Sequence, residues 1–190
     1  ATARPIATTN MFTRARRLGW VSTATAGNPA AMQFSALQYT VSNGSGVGGF
    51  FLVARFGASD AATVAGARSF FGMRNVTTTP TNVEPSTLTN VIGIGNGAAD
   101  GNMKMFYGGT TAQAPIDLGA NFPANTLSID MYELVLFAPP NALRTIHYQV
   151  TRLNTGHVAT GTLSGTTVQV PSETTLLQAF CGWRNNNATA

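Results

Sequence analysis

Short apolar stretches, most of them alternating apolar and polar side chains, run the length of this chain, and each is closed off by Gly, Pro, Asn or Thr. A strand turns successive side chains to opposite faces, so alternation over a short run marks a half-buried strand. Candidate strands lie at residues 31–41, 49–55, 68–74, 91–95, 103–107, 127–137, 144–153, 157–163 and 176–183. Turn residues separate them at short spacing, which is the pattern of an antiparallel all-β sandwich or barrel. Ala30, Ala31 and Met32 would suit a helix, but Phe34, Ala36, Tyr39 and Val41 continue the alternation and favour a strand. Only two short helical turns are expected. Ser59 and Asp60 can accept amide hydrogens ahead of AATVAGA, with Gly66 ending the turn, and Pro85 with Ser86 precedes a turn at 87–90.

At 190 residues the chain has the length of one sizeable domain, able to bury roughly 70% of its unfolded surface. Only 9% of its residues are charged, against about 25% in an ordinary globular protein. That excludes disorder of the highly charged type and leaves a surface of Thr, Asn, Ser, Gly and Ala, suited to a rigid virion or secreted protein. The net charge of +4 rests on arginine, with Lys104 the single lysine. Arg14, Arg16 and Arg17 form a cluster without interleaved aromatics, which reads as a solvated strand edge or an intersubunit ion-pair donor rather than a nucleic-acid site. Cys181 stands alone between Phe180 and Trp183, so a buried thiol is expected and neither a disulfide framework nor a thiolate zinc site. With no apolar run of membrane-spanning length and no visible leader, the expectation is a soluble protein without membrane insertion.

Motifs for chemistry fail on context. Gly93, Gly95 and Gly97 follow a strand, but no helix pattern and no Lys-Ser/Thr pair come after them, so a phosphate loop is excluded. Their reading is a tight connection whose glycines supply positive φ. Asp100, Asn102 and Asp117 offer too few carboxylates for a calcium loop, and no cofactor or metal is expected. His147 and His157 sit in strand patterns, away from any nucleophile elbow. Asp130 and Glu133 are the nearest carboxylate pair, and their odd separation sends them to opposite faces of a strand. No enzyme is expected.

Binding is better served. Sugar sites combine aromatic faces with amides, carboxylates and arginine donors. Residues of the right type are Trp20, Tyr107, Asn121, Trp183, Arg184 and the run Asn185, Asn186, Asn187, with core packing the competing role for both tryptophans. Arg55, Arg68 and Arg74 fall among Phe50, Phe51, Phe56, Phe70 and Phe71, as structural or subunit-contact residues first and anionic-glycan contacts second.

Three regions carry a family resemblance: FTRARRLGWVSTATAG at 12–27, GFFLVARFGASDAATVAGARSFFGM at 49–73, and PSTLTNVIGIGNGAADGNMKMFYGG followed by IDLGANFPANT and YELVLFAPPN. With YQVTRLNTGHVATGTL and LLQAFCGWRNNNATA they resemble, in order, a module of tail-fibre and receptor-binding proteins of tailed bacteriophages and prophages. The resemblance covers residues 12–190 and implies a jelly-roll-like antiparallel β-sandwich, with 1–11 a connector from an upstream fibre segment. It further implies a virion location, a homotrimer contacting other virion proteins, and attachment to host-surface polysaccharide or lipopolysaccharide. Recognition is expected in loops at one end of the sandwich, since those are free to vary over a rigid scaffold. Members of that family continue after a segment like NNNATA with one more apolar strand, so a strand donated by another chain, or a longer parent chain, is expected. The rival readings are a purely structural virion protein (capsid decoration, neck or tail component), a polysaccharide depolymerase fragment needing two facing carboxylates, and a bacterial lectin or adhesin.

Overall fold

The structure, a computed structural model, describes residues 1–9, 11–23, 25–60, 64–124 and 128–185. The first half of the chain forms β1 (Thr2–Arg4), the single-turn helix α1 (Met11–Arg14), β2 (Arg17–Gly19), β3 (Pro29–Gln33), β4 (Leu37–Tyr39), β5 (Phe50–Phe56) and β6 (Ser69–Arg74). A 3-10 turn (Pro85–Thr87) leads into β7 (Val91–Asn96), β8 (Lys104–Gly108) and β9 (Ile116–Asp117). The rest is β10 (Tyr132–Ala138), β11 (Thr145–Arg152), β12 (His157–Ser164), β13 (Leu177–Gln178) and β14 (Cys181–Asn185).

Two antiparallel sheets face each other, making the jelly-roll-like all-β sandwich with little helix. One has the order β12-β11-β10-β5, the other β3-β14-β6-β7-β8-β9. Alternation decides which side chains enter the space between them. Leu134, Leu136, Ile146, Val150 and Leu163 come from the four-stranded sheet; Met73, Ile92, Ile94 and Met105 meet them from the other. Each of these is at most 2% exposed, and truncating such a side chain to Ala costs about 2–5 kcal/mol.

The six-stranded sheet is also buried on its other side. Phe70, Val91, Phe106, Cys181 and Trp183 form a second apolar cluster, covered in part by Val83 and Leu88 from the segment around the 3-10 turn. Strands buried on both faces read as continuous apolar runs, which is why VIGIG and KMFYG lack clean alternation.

Glycines make this second layer possible, and not by the expected route. Gly93 and Gly95 lie within β7, and neither they nor Gly97 has positive φ. Gly93 pairs with Gly72 on one side and Phe106 on the other. A Cβ on Gly93 would stand 2.5 Å from the Phe71 carbonyl and 2.8 Å from Phe70 Cζ. A Cβ on Gly95 would stand 1.9 Å from the Ser69 carbonyl. The glycines therefore serve close approach, of the β6 backbone at both positions and of the Phe70 ring at Gly93, rather than turning the chain.

The expected strands at 31–41 and 176–183 are each broken in two. β3 pairs with β14 and β4 with β13, with a register shift at Leu177 and Gln178. The Phe34 amide still donates to the Phe180 carbonyl at 3.1 Å, so both partners bend at the same place. The strand expected at 127–137 begins only at Tyr132, and Leu127 is outside the described residues. The Ser59–Asp60 turn runs into residues 61–63, also outside them, while the Pro85 turn is present at Pro85–Thr87. Within the segment expected as a connector, β1 pairs antiparallel with β2, matching Arg4 to Arg17.

Gly93→Ala is expected to destabilise the fold by about 2–3 kcal/mol through overpacking. Thermal unfolding should show a Tm lower by roughly 5–10 °C. An unchanged Tm would mean that the aromatic layer moves aside freely.

Candidate functional site

The outer face of the four-stranded sheet breaks the usual rule that the solvent side of an antiparallel sheet is polar. Register places its outward side chains in three rows across the strands. In the first, Phe51 of β5 lies opposite Phe137 of β10, which lies opposite His147 of β11, which lies opposite Thr162 of β12. In the second, the sequence is Val53, Val135, Gln149 and Thr160; in the third, Arg55, Glu133, Thr151 and Val158.

Side-chain contacts tie the first row into a line. The Phe51 and Phe137 rings meet edge to face with centroids 6.3 Å apart. Phe137 stacks on the His147 imidazole at 6.3 Å and 27°. His147 Nδ1 is 3.0 Å from Thr162 Oγ1. Phe51 is 69% and Phe137 41% exposed, so both rings offer apolar surface to an incoming molecule.

Around this line the face sinks into an open depression of about 350 Å³, bordered by Val135, Phe137, His147, Gln149, Thr160 and Thr162. That volume falls in the range of ligand clefts. Its floor is set by packing beneath: Tyr148 points inward over Gly161, where a Cβ would stand 2.4 Å from the phenolic oxygen. Burial, and after it the neighbouring Tyr107, push the Tyr148 hydroxyl up in pKa, so it stays neutral. No Asp, Glu, Lys or Arg borders the depression. The nearest charges are in the third row, where Arg55 Nε donates to Glu133 Oε2 at 2.6 Å. The arrangement offers apolar ring surface, an amide, two hydroxyls and an imidazole, with charges locally cancelled.

The residues singled out from sequence chemistry are not brought together. Trp183 is a core residue, 1% exposed, with its indole N–H buried as well, and so cannot stack on a ligand. Tyr107 is half-buried and packs against the main core. Arg184 is held by Asp60, with Nε donating to Oδ2 at 2.8 Å. Trp20 is half-buried just beyond β2, and Asn121 is exposed with its carbonyl accepting from Arg152 at 3.1 Å. Asn186 and Asn187 lie outside the described residues. Alternation could have found the outer rows instead: Phe51 and Val53, with Phe137 and Val135, are out-facing apolar residues on strands whose in-facing set is already apolar.

Asp130 and Glu133 do not face each other: Glu133 lies on the outer face of β10, whereas Asp130 precedes the strand. Asp130 is buried, accepting from Arg152 Nε at 2.7 Å and from Asn154 Nδ2 at 2.5 Å. Asp100 pairs with Lys104 at 2.6 Å and Asp117 accepts from Asn102 at 3.1 Å. Among the described residues no group of three His, Cys, Asp or Glu side chains is placed to hold a metal. No helix among them is long and apolar enough to cross a membrane. Arg68 reaches Glu84 at 2.6 Å and Arg144 reaches Glu173 at 2.8 Å, so these arginines are structural. Cys181 is buried beside Arg74, and burial pushes its thiol up to about 11.

No protein-family model and no curated protein matches the chain. Solved structures do. Lectin II from Ulex europaeus superposes with a TM-score of 0.50 at 10% identity, over 89% of this chain and 79% of that one. A scytalido-glutamic peptidase bound to a transition-state analogue inhibitor gives 0.39 at 13% identity, over 87% of this chain and 66% of that one. A protein of unknown function from Shewanella oneidensis MR-1 gives 0.39 at 11% identity, over 90% and 83%. The first supports the β-sandwich fold; at such identities no residue role carries across.

Two outcomes follow from the contacts. Arg152→Ala strands a buried carboxylate and should cost about 3 kcal/mol, whereas Arg55→Ala removes an exposed pair worth at most about 1 kcal/mol. Denaturant unfolding of both variants checks this, and equal losses would refute it. The Cys181 thiol should ignore a disulfide reagent at mildly alkaline pH until the protein is unfolded. Its raised pKa favours folding below the thiol's ordinary value near 9, and that contribution is lost as pH climbs from there towards about 11.

Proposed function

We propose that this chain is a recognition module that binds a cell-surface glycan on the outer face of its four-stranded sheet and does not cleave it. The observation that carries this reading is the line from Phe51 through Phe137 and His147 to Thr162, beside the open depression. Pyranose rings present apolar C–H faces and a fringe of hydroxyls. Exposed phenyl rings match the first, while Gln149, Thr160, Thr162 and His147 supply donors and acceptors for the second.

Binding without cleavage is favoured because the carboxylates nearest in sequence are each committed to an arginine, Glu133 to Arg55 and the buried Asp130 to Arg152. The setting we propose is a phage tail fibre or tailspike, where a homotrimer of such modules, joined to other virion proteins, would attach to host polysaccharide or lipopolysaccharide. Support for that setting comes from the sequence motifs at 12–27, 49–73 and beyond. One solved neighbour is named a lectin, which gives the fold a precedent for sugar recognition and assigns no residue here.

A glycan array together with adsorption to candidate host cells tests the reading. Binding without release of reducing ends is expected, and Phe137→Ala should weaken it about tenfold or more, the scale of losing a central aromatic anchor. Full binding by that variant, or polymer cleavage by the native protein, would defeat the reading.

A further inference from the structure

The outer face also restricts which glycans it can hold. Resting on the reading just given, we infer that its ligand is an uncharged glycan of several linked sugars lying across the four strands, rather than an anionic polymer or a single sugar.

Charge is the first reason. The first two rows contain no Asp, Glu, Lys or Arg, and in the third Arg55 and Glu133 neutralise each other at 2.6 Å. A carboxylate or phosphate laid on this surface would lose hydration with no counter-charge to receive it, which is costly. Arginines that could have served are committed elsewhere: Arg68 to Glu84, Arg144 to Glu173, Arg152 to Asp130 and Arg184 to Asp60.

Length is the second reason. The line of contacts crosses four strands, and three spacings of about 4.8 Å make a track roughly 14 Å long. That is more than one sugar ring occupies. Its chemistry is graded along the way, from bare phenyl at β5 to hydroxyls at β12. A ligand matching the whole line needs an apolar ring face at one end and hydroxyls at the other. The line ends on β5 and β12, the outer strands of the sheet, so a chain can continue past both ends.

The test uses the whole chain on an array of neutral and anionic oligosaccharides graded by length, with calorimetry on the best binders at low and high salt. Affinity should grow with length up to about three or four sugars, the reach of the track, and change less than about twofold with salt. Phe51→Ala, at the far end of the line, should weaken the longer oligomers about fivefold and disaccharides by a smaller factor. Thermal unfolding of the variant confirms that it folds. Preference for an anionic polymer, falling steeply with salt, would overturn this inference and leave glycan recognition standing. So would full affinity at a monosaccharide, or loss of long and short ligands alike in Phe51→Ala. Absence of binding to every glycan and host surface would overturn the parent reading and this one together.

Discussion

The close approach of aromatic rings to strand glycines is the contact on which the sandwich depends. Gly72, Gly93 and Gly95 leave a gap among the side chains on one side of β6 and β7, and Phe70 settles over Gly93. Phe106 and Trp183 complete the layer from the flanking strands. Because that side is sealed, the six-stranded sheet is buried twice over. The four-stranded sheet then needs only its inner face for stability. Its outer face need not be covered, and that freedom lets Phe51 and Phe137 stand exposed.

Charge follows the same division. With few ionisable groups in the chain, nearly every carboxylate is matched to a basic or amide partner at a strand end or loop: Asp130 to Arg152 and Asn154, Glu84 to Arg68, Asp60 to Arg184. These pairs pin loops to strands and fix register. Arg55 and Glu133 differ in sitting across neighbouring strands on the open face, where opposite charges side by side support pairing and leave little net field. The apolar row beside them is thus neither flanked by strong charge nor shielded from approach.

Much of the fold was legible because period-two alternation survives wherever one face is buried and the other wet. Residues 49–55, 68–74, 144–153 and 157–163 each came within a residue or two of β5, β6, β11 and β12. The bends in the β3/β4 and β13/β14 pair were not, since a shared kink depends on register between segments more than a hundred residues apart. Nor was the role of Gly93 and Gly95: a glycine in a strand and a glycine in a turn look alike until the ring above it is placed. The site fared worse for a related reason. Trp183 and Tyr107 have the chemistry of sugar binders, but packing takes both: Trp183 into the second core and Tyr107 against the main one. The outer row is made of ordinary Phe, Val, Thr and Gln, whose significance comes only from lying side by side.

A surface written on strands rather than loops has a distinctive evolutionary grammar. Insertions and deletions, the usual currency of loop diversification, would shift register and turn the whole set inward. Change must come instead by replacing out-facing side chains one at a time, at alternate positions of β5, β10, β11 and β12, while the residues between them stay fixed by packing. Such a surface can drift in preference through many small steps without the scaffold taking notice.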